Sequence, residues 1–173
     1  MTLLDQIKTR APEYDAKYYD FILKFTLEQG AKMGTASEQE KWELGKYFST
    51  RYEMYMYAVL LGLKKDYSLP IERGTEKMKF IAMDEWGGKD SSKNRHHQEI
   101  TEYIIMSVLA KGDYDFFTIE EMEENEIRNT LTQIKSDIES YANGGFDIIH
   151  SKAQENEAYF IENENSFIDL LDK

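Results

Sequence analysis

The run His96-His97-Gln98-Glu99, with Glu102 one turn further on, holds two of the chain's three histidines beside two carboxylates. On a helix His96 and Glu99 share a face by i, i+3, as do Glu99 and Glu102, and one imidazole with two carboxylates suits a transition metal. The spacing is not HExxH. Adjacent helical residues point about 100° apart, so His96 and His97 do not easily reach one ion together, and a mononuclear site would need a ligand from elsewhere, for which His150 is a candidate. The structural alternatives are a solvated first half of a helix or an interaction surface.

A second concentration is acidic: Glu120, Glu121, Glu123, Glu124 and Glu126. The D-x-D-x-D-G pattern of a calcium loop is absent, and a helical setting does not wrap an ion. Carboxylates early in a helix also complement its dipole. The functional reading is a docking face for a basic protein, carried by Glu120, Glu123 and Glu124. A third group is aromatic. Arg51, Tyr55 and Tyr57 lie in the stretch STRYEMYMYAVLLGLKK; the spacing favours tyrosines that fill a core and an Arg51 that forms a structural ion pair, and a ligand pocket made by these three with Trp86 is the alternative.

Several chemistries drop out. With no cysteine there is no disulfide, thiolate nucleophile or iron–sulfur cluster. No GxxxxGK[ST], GxGxxG or GxSxG element occurs, which removes the common phosphate cradles and the hydrolase elbow. No cofactor is expected.

The elements that must position these residues read as helices. Two prolines and ten glycines punctuate 173 residues. Spacing predicts a first helix from Glu13 to Gln29 through Tyr18, Phe21, Ile22 and Phe25, stopped by Gly30. Ser37 with Glu40 has capping-box spacing and opens a short helix to Lys46. Thr50 with Glu53 repeats the device, and the helix to Leu63 is apolar over most of its circumference, which marks it as central. Residues 64–72 form a turn before Pro70. Thr75–Trp86 fits helix better than strand, with a β-hairpin over 77–83 as the alternative. GGKDSSK is a polar loop, and a long helix follows to Lys111. Its first half is polar, and its second half, with Ile100, Ile104, Ile105, Val108 and Leu109, is packed. Thr118 and Glu121, flanked by Phe117 and Met122, predict a helix from 118 to 142 that stops at Asn143-Gly144-Gly145. Further helices from Phe146 and over SFIDLLDK complete an all-α, single compact domain of about six or seven helices.

The formal charge is −12, and nearly all of it falls in residues 87–173. Such a surface repels phosphate backbones, so direct nucleic-acid binding is not expected, and a basic protein is the better partner. The N-terminal residues lack an apolar leader and no run reaches the roughly 18 apolar residues of a membrane span, so a cytoplasmic location without membrane contact is expected. The sequence does not set the oligomeric state.

The stretch YFSTRYEMYMYAVLLGLKKDYSLPIE, an aromatic/Thr entry into an apolar helix ending in Leu-Gly, then a loop and a proline, resembles small proteins of unknown biochemical activity encoded beside bacterial DNA phosphorothioation (Dnd-type) and related phage-defence clusters. YANGGFDIIHSK is similar as well. Together they cover about a quarter of the chain and bring no catalytic residues. The resemblance implies a non-enzymatic accessory protein recruited to DNA-handling enzymes by protein contacts. The rival readings are a metal-dependent helical enzyme using the His96 cluster and a small-ligand sensor using Arg51, Tyr55, Tyr57 and Trp86.

Overall fold

A computed structural model describes residues 2–26, 47–88, 91–114, 122–156 and 158–172, with the side chains of 91–95 set aside. The expected Ser37–Lys46 helix, the Thr118/Glu121 box with Phe117, and Glu120 lie outside the described residues. Seven α-helices run through the described residues: α1 (Leu3–Lys8), α2 (Tyr19–Lys24), α3 (Arg51–Lys64), α4 (Ser91–Lys111), α5 (Glu124–Glu155), α6 (Tyr159–Glu162) and α7 (Ser166–Asp172). Two short strands, β1 (Glu13–Asp15) and β2 (Lys77–Lys79), pair antiparallel with Tyr14 opposite Met78. The fold is all-α with a small two-stranded ribbon.

Helix α3 is the hub. Thr50 caps it: its hydroxyl accepts from the Glu53 N–H at 3.3 Å while the Glu53 carboxylate accepts from the Thr50 and Ser49 N–H groups. Met54, Tyr55, Met56, Ala58, Val59, Leu61 and Leu63 are all buried, so the helix is covered around nearly its whole circumference. Each such large side chain contributes about 1.5–3 kcal/mol on burial. The helix ends where Asp66 takes a left-handed φ of 51° and the Tyr67 N–H reaches back to the Gly62 carbonyl at 2.8 Å.

Its main partner is α5, and here the structure corrects the sequence reading. Asn143-Gly144-Gly145 does not end a helix; α5 continues through it to Glu155. The glycines serve close approach instead. A Cβ on Gly145 would lie 1.9 Å from the Ala58 carbonyl oxygen, one on Gly144 2.2 Å from that of Tyr67, and one on Gly62 2.2 Å from that of Tyr141. Glycine at these three positions lets the α3 backbone and the turn after it rest directly on α5.

Three further expectations fail for physical reasons. The helix expected from Glu13 begins only at Tyr19, because residues 13–15 are extended and paired with 77–79; the Asp15 carboxylate then caps a 3-10 turn by accepting from the Lys17 N–H. Thr75–Trp86 is not helical, and the alternative of strand structure within 77–83 is what forms: the segment supplies β2, followed by a 3-10 turn at Met83–Glu85. The helix expected to run unbroken from 118 to 142 is interrupted: its predicted start lies outside the described residues, but Glu123 is extended and α5 begins at Glu124, with the Glu126 carboxylate accepting from the Glu123 N–H at 3.0 Å.

Candidate functional site

The His/carboxylate cluster divides three ways. His97 turns inward, 7% exposed, with its Nε2 3.4 Å from a Glu53 carboxylate oxygen at the start of α3. Glu102 accepts from the Lys8 ammonium of α1 at 2.8 Å. His96 and Glu99 face solvent, 3.9 Å apart. The roughly 100° step between neighbouring helical residues separates the imidazoles, and among the described residues no three His, Asp or Glu side chains are grouped so as to hold a metal ion.

The aromatic candidates are divided as well. Trp86 stacks on Tyr52 with ring centroids 5.7 Å apart, meets Tyr55 edge-on at 5.8 Å, and donates its indole N–H to the Ile81 carbonyl. Tyr55 is fully buried and donates to the Glu13 carbonyl at 3.4 Å. Burial pushes its hydroxyl well above the usual tyrosine range, and the nearby Glu139 and Glu13 carboxylates add to this. The Arg51 guanidinium lies 5.8 Å from the Phe80 ring centroid at the edge of the same cluster. Tyr57 points elsewhere, donating to the Phe167 carbonyl at 2.5 Å and packing edge-on against that ring. Arg51, Tyr55 and Trp86 thus meet around Phe80 as packed core, and Tyr57 anchors α7.

Two features went unseen in the sequence. The first is a polar line along α5 at near-four-residue spacing: Glu139 and Asn143, which are buried, then Asp147 and His150, which are half-buried. Glu139 accepts from the Glu13 N–H at 2.7 Å and pairs with Lys135 at 2.9 Å; burial holds its carboxyl above the usual range while Lys135 pulls it down. Asn143 donates its side-chain N–H to the Leu69 carbonyl. Asp147 accepts from the hydroxyls of both Tyr18 and Tyr67, and burial first, then this carboxylate, raises the Tyr18 hydroxyl above its ordinary range. His150 stands edge-on to Tyr18 and Phe21. The line ties β1, α2 and the loop after α3 to one helix, and its signal is polar residues at helical spacing inside an otherwise apolar face.

The second is the outer face of α4. His97, Thr101, Ile104, Ile105, Val108 and Leu109 form the buried stripe. On the opposite arc, Ile100 is 41%, Tyr103 66% and Met106 56% exposed. They follow His96 at i+4, i+7 and i+10, with Glu99 between, so one arc of the helix carries an exposed apolar patch with charged neighbours. Ile100, expected in the packed half, belongs to it. Of the acidic candidates, Glu123 and Glu124 are exposed, and Glu124 lies 3.6 Å from Arg128 one turn on.

No known protein family, curated protein or solved structure matches this chain. The fold and site define an all-α protein with an apolar face on a long helix, and no described helix is long and apolar enough to cross a membrane.

Proposed function

We propose that this chain is a non-catalytic accessory protein that docks a protein partner through the outer arc of α4. The observation that carries the reading is the exposure of Ile100, Tyr103 and Met106 on one arc of a helix whose other side is fully packed. Aromatic and methionine side chains are enriched at the centres of protein interfaces, and charged residues such as Glu99 suit the rim. A helix face of this kind is read through anchors at i, i+3 and i+4 spacing.

The partner suited to a chain of charge −12 is a basic one. Exposed Glu123 and Glu124 at the start of α5 add to that preference. The resemblance of residues 47–72 and 141–152 to proteins of DNA-modification and phage-defence clusters points to a nucleic-acid-handling enzyme, bound through its protein surface rather than its DNA.

The test is affinity capture of the tagged chain from its host, wild type against Tyr103→Ser/Met106→Ser. Both positions are exposed, so helix content and unfolding midpoint should hold while recovery of a basic nucleic-acid enzyme falls about tenfold or more, as for loss of interface anchors. Equal recovery of the same partners by the double variant sinks the reading.

A further inference from the structure

A cleft of about 330 Å3 opens on the side of the molecule where the loop after α3 crosses α5. Its walls belong to three elements fixed to one another. Leu69 is strapped to α5 at both ends of its peptide unit, its N–H donating to the Ser140 carbonyl at 2.9 Å and its carbonyl accepting from the Asn143 side chain at 3.0 Å. Opposite, the Ala16 N–H donates to the Glu76 carbonyl at 2.9 Å, which holds the turn after β1 against the strand leading into β2. The volume sits at the lower end of the range for small-molecule sites.

The lining is dominated by hydrogen-bond acceptors. Asn143 is 2% exposed, and its side-chain oxygen is buried with no hydrogen-bond partner. A buried acceptor left unpaired costs about 1–3 kcal/mol, and Asn143 is one of the residues lining the cleft, so a donor entering beside it relieves that cost. Asp15 and Glu72 bring carboxylates, and Glu72 has no ion-pair partner among the described residues. The cation among the described lining residues, Lys17, is already engaged: its ammonium is 3.5 Å from the Asp15 carboxylate and 4.8 Å from the Tyr18 ring centroid, on a side chain 55% exposed. Leu69 and Pro70 supply an apolar wall.

We propose that this cleft binds a small aliphatic amine, with its ammonium against Glu72 and Asp15, an N–H donated to the Asn143 side-chain oxygen, and its alkyl chain along Leu69 and Pro70. The inference stands on the cleft alone and does not depend on the docking face of α4. An anion is the wrong occupant, because it would meet two carboxylates and an orphaned carbonyl with only a committed lysine to receive it.

The test is NMR titration of the full chain with butylamine, 1,4-diaminobutane and N-acetyl-lysinamide, with acetate as the anionic control. The expected result is saturable movement of the Asn143 side-chain amide and the Thr75 N–H with the amines and none with acetate. Glu72→Gln, at an exposed position, should weaken amine binding about threefold to fivefold, the scale of a part-exposed ion pair. Lys17→Gln should leave binding equal or tighter. Stronger binding of the diamine assigns a free amine, and stronger binding of the lysinamide assigns a basic side chain. No saturable shift up to about 10 mM, unchanged affinity in Glu72→Gln, or preference for acetate overturns the proposal.

Discussion

Gly145 sets how closely the two central helices approach. Alanine is the better helix former by about 1 kcal/mol in a helix interior, so propensity alone favours Gly145→Ala. The added methyl, however, would sit 1.9 Å from the Ala58 carbonyl oxygen, which is backbone and cannot swing aside. Forcing packed elements apart costs about 1–3 kcal/mol and sometimes more. The clash outweighs the propensity gain, and the substitution should lower stability by about 2 kcal/mol, read from the urea unfolding midpoint; an unchanged midpoint would mean that the helices do not rest on one another at this point. The same residue shows where sequence reading fails. Asn-Gly-Gly has the composition of a helix end, and nothing local separates a glycine that stops a helix from one that admits a neighbouring backbone. Tyr55 and Trp86 lie in the core, as the apolar spacing favoured, but which aromatic each would meet was not legible, because residues that fill a core and residues that line a pocket have the same spacing until their partners are known.

Helix α3 was legible because its start is local. Thr50 and Glu53 satisfy each other's neighbouring N–H groups across three residues, and the apolar pattern that follows admits only a central position. Thr50→Ala should cost about 1 kcal/mol, the usual loss for a hydroxyl cap, and Thr50→Ser should restore most of it. Chemical denaturation measures both. The ribbon was only half legible: strand structure within 77–83 stood as an alternative, but its partner at 13–15 did not. Residues 13–15 and 77–79 are too short to declare themselves as strands, and each becomes one only because the other is beside it. The outer arc of α4 lay hidden because a helix with apolar residues on two sides reads as buried from periodicity alone.

The whole molecule is rich in tyrosine, and many of its hydroxyls are inside. Burial pushes Tyr14 up to about 12, and it raises Tyr18, Tyr55, Tyr57 and Tyr114 above the ordinary range as well. Because the folded values exceed the unfolded ones, the stability tied to these groups is fully present below about pH 10, the unfolded value. It is lost as pH rises toward the folded values. Alkaline titration should therefore show tyrosinate absorbance appearing together with loss of helical circular dichroism; buried tyrosines that ionise while the helix signal persists would contradict this packing. The contact between Ala58 and Gly145 has a further consequence in time. Its two sides lie about half the chain apart, so on the ribosome α3 is complete long before the second half of α5 exists to cover it. Through that interval its methionines, tyrosines and leucines lack their main partner, and the nascent chain carries the surface that chaperones recognise. Folding of the core must wait until the end of α5 has emerged, so α3 cannot be covered as it is made.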